Sequence, residues 1–438
     1  MDIGQKLKQL DRAGKPIRLA VCGIGHMGKS LISQIMGIPG MEIVAVADKD
    51  ISAAERNLKQ AGFPVHNLEF ISSGNQKLDS KIRREARLAS RRGKIIFTDN
   101  LQLLASLECA QVVMDLTGDT MAGALLSLTA IKQKKHMVSL NVETDVTIGP
   151  LLKGMAESNG VVYTIAAGDE PGALKELYDF ATVLGLDVIA AGKGKNNPLN
   201  RHANPSTLAQ YCKEKGASSR MMTSFVDGTK SMEEMACFSN ATGIRADKRG
   251  MHGPRVNVCQ LASRFCSKQQ GGILDRVPAV DFAIGDVAPG VFVVYSTQNK
   301  LLRDELKYLL FGDGPNYVLY RPYHLASIET PISVANAYFF NQPTIAPRGG
   351  PVSEVITVAK KDLARGDAID GIGGYTVYGL IEQYRAARKE NLLPLGMSEG
   401  AVLKRDIARG QALTCDMVDL DKGTVLFKLR SLMEQAYG

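Results

Sequence analysis

The chain has 438 residues, 45% of them apolar and 22% charged, the make-up of a globular protein with room for about three domains and not of a fibrous or low-complexity chain. Its formal charge of +8 would suit a nucleic-acid binder, but Lys and Arg alternate with Asp and Glu, and aromatic residues are only 6%, so a small anionic ligand accounts for the excess as well. Seven cysteines with no CxxC pair imply neither a disulfide framework nor a zinc site, and no run is long enough to span a membrane, so a cytoplasmic protein with no nucleic-acid or membrane partner is expected.

The opening MDIGQKLKQL spaces Ile3, Leu7 and Leu10 as an amphipathic helix and lacks the apolar centre of a signal peptide. From residue 17, apolar β-type runs alternate with helical patterns: IRLAVC then 27–37, EIVAVA then 51–61, KIIFT then 100–107, QVVMDL then 121–133, HMVSLN then 148–158, and finally VVYTIA at 161–166. Six Val- and Ile-rich strands with five crossovers predict an α/β unit, a Rossmann-type doubly wound parallel sheet over 1–165. The crossover 77–94 carries eight Lys or Arg residues, and reads either as a solvated basic helix or as a contact for an NADP phosphate or a partner subunit.

Gly23, Gly25 and Gly28 in VCGIGHMG lie between the first strand and the first helix, the context in which GxGxxG binds a dinucleotide, with His26 and Met27 beside them. Asp48, at the end of the second strand, is placed to accept from a ribose 2′-hydroxyl and favours NAD. Lys49 next to it favours a 2′-phosphate, so NADP and NAD both stay open. LTGDT (116–120) and NVET (141–144) would flank the nicotinamide end, with Thr117 and Asn141 as candidate contacts; a simple turn role fits Asn141 equally.

Beyond residue 166 the pattern becomes α+β, with strand-like DVIAA, AVDFAIG, GVFVVYS and NYVLY, and this part, 166–345, is read as a catalytic, substrate-binding and dimerisation domain. It holds GDEPG (168–172), GKGKNNP (192–198), FVDGTKSMEEM (225–235), MHGP (251–254) and RPYHL (321–325). If a carbonyl is reduced by hydride, the site must supply a proton and hold an alkoxide, tasks for Lys193, Lys195 or Lys230. The 192–198 segment reads as a flexible turn whose cations and amides, including Asn196 and Asn197, surround an anionic or polyoxygenated substrate.

Asp169 and Glu170 read as general base, metal ligands or the start of a helix. Ser231 and Glu234 have the spacing of a capping box, which leaves Asp227 and Lys230 for chemistry. His252 and His324 are candidate substrate or acid groups, and Arg321 suits a carboxylate or phosphate oxygen.

The helical stretch 326–340 and a Pro- and Gly-rich linker, IAPRGGP (345–351), lead to an internal repeat: VAKKDLARGDAI (358–369) recurs as VLKRDIARGQAL (402–413) at an offset of 44. The third unit, 351–438, should be a small β module of two related halves.

With GIGHMG, SLNVETDVTIGPLL, AGDEPGALKELYDFA, AGKGKNNPL, FVDGTKSMEEM, NATG, RGMHGP, GDGPNYVLYRPYHL, AKKDL and GGYTVYG in place, the chain resembles the homoserine-dehydrogenase-like oxidoreductases with a C-terminal SAF (β-clip) domain, a family that includes the 1-deoxy-D-xylulose 5-phosphate reductoisomerase-like enzymes. The resemblance implies an NADP-preferring reductase, a homodimer or higher oligomer and, for the reductoisomerase-like members, a divalent metal (Mg or Mn), a phosphorylated ketose and a place in isoprenoid biosynthesis. It also implies dinucleotide binding by Gly23, Gly25 and Gly28, with Lys193, Lys195, Asp227 and Lys230 in the catalytic region. Two departures stand out: Asn141-Val142 replaces the Asn-Lys of homoserine dehydrogenases, and the Asp-Ser-Glu-His metal signature of ordinary reductoisomerases is absent. A polyol or hydroxy-acid dehydrogenase and a non-catalytic nucleotide sensor are the competing readings.

Overall fold

In the computed structural model, which describes residues 2–72 and 79–438, the apolar runs of the first 166 residues form a seven-stranded, wholly parallel sheet. Its strands are β1 (Ile17–Cys22), β2 (Met41–Ala47), β3 (Leu68–Phe70), β4 (Ile95–Thr98), β5 (Val112–Asp115), β6 (His136–Ser139) and β7 (Tyr163–Ile165). The order β3-β4-β2-β1-β5-β6-β7 reverses between β1 and β5, the crevice at which open α/β sheets take ligands.

The sequence reading omits β3, a three-residue edge strand that is not fully buried and so carries no apolar run. The basic crossover becomes the helix Ser80–Arg91, Lys77 and Leu78 lying outside the described residues. Arg87 pairs with Glu108, which precedes β5, and Arg92 pairs with Glu69 at β3. Glu108 lies at the amino-terminal side of the strands, opposite the glycine loop, so Arg87 does not serve a cofactor phosphate.

The helix after β6 begins at Val142, six residues earlier than expected, because Asn141 Oδ1 accepts from Thr144 N at 3.0 Å and caps it. NVET is therefore a helix start, and Glu143 points inward from its first turn, 2% exposed.

The second sheet is mixed: β8 (Asp187–Gly194), β9 (Arg245–Ala246), β10 (Ala279–Ala283), β11 (Val291–Ser296) and β12 (Asn316–Arg321), in the order β12-β11-β8-β10-β9. The helix Glu170–Val183 packs on β8 and β11. The helix Thr229–Thr242, every residue of it buried, lies against that helix, against Val142–Ser158 and against the C-terminal strands. A buried helix of mixed composition must pair its charges, and this one brings Lys230, Glu233 and Glu234 into the interior.

The helix Thr330–Phe340 returns to the first sheet, packing its Val334 and Ala335 into the core of β1 and β2. The expected linker is no free tether, for Ile345 is 1% exposed and bridges Ile165, and Arg348 N bonds Asn240 O.

In the C-terminal part, β13 (Ser353–Ala359) pairs antiparallel with β14 (Val377–Gln383), and β15 (Val402–Leu403) with β16 (Val418–Asp419). The two repeat copies pair with each other about a local twofold. Leu363 and Ile407, equivalent in the repeat, exchange backbone hydrogen bonds; Asp362 Oδ1 accepts from Arg409 N and Asp406 Oδ1 from Arg365 N. The final helix, Val425–Tyr437, is tied down by buried Arg430, which pairs with Glu354 and Glu434 and donates to Thr147 O at 3.0 Å. Among the described residues no helix is long and apolar enough to cross a membrane.

Candidate active site

At the dinucleotide end the three glycines divide their work. A methyl on Gly28 would lie 2.0 Å from Gly23 O, and one on Gly23, which has φ +92°, would lie 2.8 Å from the Leu116 backbone, so these two serve the turn and the helix contact. Gly25 has no atom of the described residues within 4 Å of that position and caps the helix His26–Ile35, leaving its first amides open to an anion. His26 and Met27 occupy the exposed first turn.

Asp48 sits as expected at the end of β2, but its carboxylate turns to the loop: Oδ2 accepts from Ile24 N at 2.7 Å and Oδ1 from Asp50 N at 2.9 Å. It braces the glycine loop, and exposed Lys49 is the neighbouring group turned to solvent. Thr117 and Asn141 converge on Asp115, with Thr117 Oγ1 donating at 2.7 Å and Asn141 Nδ2 at 3.1 Å. Asn141 also donates to Asp119 O at 2.9 Å and is wholly buried, so it stitches two loops together. Burial raises the Asp115 carboxyl to about 6 against the hydrogen bonds of Thr117.

Next to this end lies a buried ionic cluster. The 192–198 stretch is not a flexible turn at its start, because Lys193 and Gly194 continue β8 and are paired on both sides, Lys193 with Phe282 and with Val291. Side chains alternate along a strand. One face therefore carries Gly192 and Gly194, where a methyl would stand 2.3 Å from Asp281 O and 2.3 Å from Ala288 N, and the other aims Lys193 and Lys195 inward.

Lys193 Nζ donates to Glu170 Oε1 at 2.6 Å and pairs with Glu234. Lys230 Nζ donates to Glu143 Oε1 at 2.7 Å, which joins the cluster to the helix capped at the carboxyl end of β6. His324 Nε2 stands 3.4 Å from Glu170 Oε1; its Nδ1 lies 2.7 Å from Pro289 O and must carry the proton, since a carbonyl only accepts.

Asp169 occupies the cap position of the helix Glu170–Val183, but its side chain makes no capping bond. It joins the cluster, where oxygens of Asp169, Glu170 and Glu234 lie within 4.8 Å of one another and Asp169 Oδ2 has no hydrogen-bond partner among the described residues. Burial and then the Glu170 charge push the Asp169 carboxyl well up, while for Glu170 burial is outweighed by the Lys193 ammonium and His324, holding it well below the usual range. Glu234 is raised to about 7 by burial and by Glu170, against the pull of Lys193. Lys193 thus stands between Glu170 and Glu234, and Lys230 against Glu143, so the buried charges pair with one another. Three converging carboxylates with an unpartnered oxygen also form a hard donor set that fits a divalent cation.

Lys195, 5% exposed, donates to Phe225 O; burial and then Lys193 lower its ammonium to about 8. The expected capping box of Ser231 and Glu234 does not form. The helix starts at Thr229 after Gly228, whose φ is +86°, and Asp227 Oδ1 accepts from Thr229 N at 2.9 Å, which frees Glu234 for Lys193. Both Asp227 oxygens are engaged within the chain, with Thr229 N and Lys360 Nζ, and the residue is 0% exposed.

Other expected contacts are committed elsewhere. Arg321 binds Glu329 and, at 2.8 Å, Glu176, so its guanidinium is paired with carboxylates of the chain itself. His252 bonds Asp247 at 2.8 Å through Nε2 and Asp281 through its backbone N; none of these bonds reaches the cluster. Asn196 is exposed and Asn197 half-buried beyond the end of β8, and neither side chain makes a hydrogen bond among the described residues. Glu143 and Glu234, which the sequence reading missed, complete the ion pairs. A charged pair inside an otherwise apolar helical period, as in KSMEEM, is the signal that marks Glu234.

Residues 168–330 match the family model described as the catalytic domain of oxidoreductase DRL. No curated protein matches the chain. Among solved structures the chain is similar to 1-deoxy-D-xylulose 5-phosphate reductoisomerase from Zymomonas mobilis in complex with NADPH, with 17% identity over 50% of this chain and 57% of that chain and a TM-score of 0.33. It is also similar to DOX-P reductoisomerase in complex with magnesium (16%, 74% and 70%, TM-score 0.37) and to a probable dehydrogenase from Thermotoga maritima (13%, 70% and 69%, TM-score 0.33). The chain thus spans less than two thirds of the Zymomonas relative. From the family match, residues 168–330 are an oxidoreductase catalytic domain, built beside a Rossmann-type sheet.

Proposed function

We propose that this chain is an NADP-dependent reductase of a small polar carbonyl compound, most concretely one that converts 1-deoxy-D-xylulose 5-phosphate to 2-C-methyl-D-erythritol 4-phosphate. The observation that carries the reading is the ion-paired chain Glu170–Lys193–Glu234 with Lys230–Glu143, which ties the buried lysines at and beyond the end of β8 to the helix that starts at the carboxyl end of β6. In a Rossmann sheet such strand ends hold the reactive ring of the cofactor. Lys49, turned to solvent beside the bracing Asp48, favours the 2′-phosphate of NADP.

Reduction takes a hydride from C4 of the nicotinamide to the carbonyl carbon and a proton to its oxygen. Lys195, with its ammonium near 8, is matched to give that proton near neutral pH. Lys193, held charged by two carboxylates, stabilises the developing alkoxide. A divalent cation bound by Asp169, Glu170 and Glu234 would polarise the substrate oxygens for the preceding skeletal rearrangement.

The test is NADPH absorbance with 1-deoxy-D-xylulose 5-phosphate and Mn²⁺ or Mg²⁺. Metal-dependent oxidation with formation of the methylerythritol phosphate is expected. Turnover of an unphosphorylated polyol or hydroxy acid in its place rejects the reductoisomerase version, and cofactor binding without turnover of any carbonyl compound rejects the reductase.

A further inference from the structure

The C-terminal repeat places a lysine at the same position in each copy, Lys360 and Lys404, and the fold treats the two differently. Lys404 is half-exposed and pairs with Asp419 at the surface. Lys360 is 4% exposed and points out of its own module: its Nζ donates to Asp227 Oδ2 at 2.9 Å and to Gly374 O at 2.7 Å. Of its two partners Asp227 is the charged one, and it offsets the cost of burying the ammonium at this depth.

Asp227 is the hinge between two short runs of chain. Its Oδ1 caps Thr229 N, and the next residue, Lys230, enters the ionic cluster, followed one turn later by Glu234. Thr229 is held from the same side, since its Oγ1 accepts from Gly379 N of β14 at 2.9 Å. The preceding helix, Ser219–Val226, is gripped as well: Arg220 Nε donates to Ile372 O at 2.9 Å and its guanidinium also bonds Asp370 O. The bonds from Thr229 and Arg220 end on the C-terminal module, on β14 and on the 370–374 loop.

We propose that Lys360 is a positioning residue of the active site: its ion pair with Asp227 fixes the start of the helix Thr229–Thr242, so that the C-terminal repeat module sets where Lys230 and Glu234 stand. The inference rests on reading the Lys193 cluster as the active site for its consequence in turnover, but the mechanical part does not depend on any substrate.

The experiment uses the full chain as wild type, Lys360→Met, Lys360→Arg and, as the internal control from the other repeat copy, Lys404→Met. Amide hydrogen exchange is read over residues 223–235 and over β1 and β5, and steady-state kinetics with the substrate found for the wild type. Lys360→Met is expected to speed exchange over 223–235 by about tenfold or more while β1 and β5 stay within about twofold. It should lower kcat by about tenfold or more with KM for NADPH nearly unchanged, as expected when a reacting group is misplaced but the cofactor site is intact. Lys360→Arg should recover much of the protection, and Lys404→Met should change neither reading. Should Lys360→Met not fold, Lys360→Gln, which keeps a donor at that position, replaces it with the same expectations.

The proposal is overturned if the Lys360 variant leaves exchange over 223–235 within about twofold of wild type, if exchange rises equally in β1 and β5, or if Lys404→Met does the same. A wild type without turnover would sink the reductase reading alone, because the exchange arm still decides whether Lys360 holds this helix.

Discussion

Two glycine-rich strand ends, VCGIGHMG after β1 and AGKGK at the end of β8, look alike in composition and do opposite things. After β1 the chain leaves the sheet, Gly23 takes a positive φ, and Gly25 has none of the described residues within 4 Å of a Cβ placed on it, so that the backbone itself lies open to a ligand. At β8 the chain stays in the sheet. Gly192 and Gly194 are shut against Asp281 O, the Phe292 ring and the 287–288 backbone, and the row turned to the ionic cluster is the alternate one, Lys193 and Lys195. Glycine at a strand end therefore signals an open backbone only where the strand stops; where pairing continues, it signals what is packed behind, and the neighbours point to the site.

The sharpest way to break this contrast is to remove the charge that β8 presents. Lys193→Met should lower kcat by at least about 10²-fold, the scale of a lost electrostatic donor, while NADPH titration by fluorescence shifts by less than about threefold. A kcat within tenfold of wild type would mean that the β8 row is not the reacting face.

Next come the glycines themselves, which should separate stability from binding. Gly194→Ala forces a methyl to within 2.3 Å of Ala288 N and should cost roughly 1–3 kcal/mol in urea unfolding, the scale of overpacking. Gly25→Ala enters empty space and should leave unfolding within about 0.5 kcal/mol, yet weaken NADPH about tenfold by standing where the pyrophosphate must approach. Equal stability losses from both, or cofactor binding indifferent to Gly25→Ala, would erase the distinction.

The smallest expected effect is a pH dependence. Lys195 is lowered to about 8, so its proton-donating form is present below that value and disappears as pH rises through it. The profile of kcat/KM should fall above pH about 8 in the wild type and lose this alkaline limb in Lys195→Met, whose residual rate is then flat there. An unchanged limb in that variant assigns it to another group.

Much of the buried ionic cluster was legible from residue types alone. Lys193, Lys195, Lys230, Asp169 and Glu170 stand out because ionisable groups between glycines are uncommon in a core-forming stretch, and all five do meet or approach one another. The helix Thr229–Thr242 shows where local reasoning stops. Ser231 and Glu234 have flawless spacing for a capping box, but Asp227 and Gly228 start the helix earlier, and Glu234 is drawn to Lys193, a residue 41 positions away. A local hydrogen bond worth about 1 kcal/mol loses to the need to pair a buried ammonium. Asp48 and Asn141 make the same point from the other end of the molecule. Their chemistry suited a cofactor, and their oxygens and amide were taken by Ile24, Asp115 and Asp119, backbone and side chains that the turns brought within reach.

The amino-acid order by itself determined the parallel sheet and its glycine loop, the strand-like runs of the second sheet and the doubled C-terminal motif, because each follows from periodicity, backbone sterics or repetition within a few neighbouring residues. Only the tertiary structure decided which lysine of the repeat turns inward and which carboxylates join Lys193 and Lys230. Charges buried far from water take whichever partners the packing of distant segments provides, and those partners have no spacing in the chain to betray them.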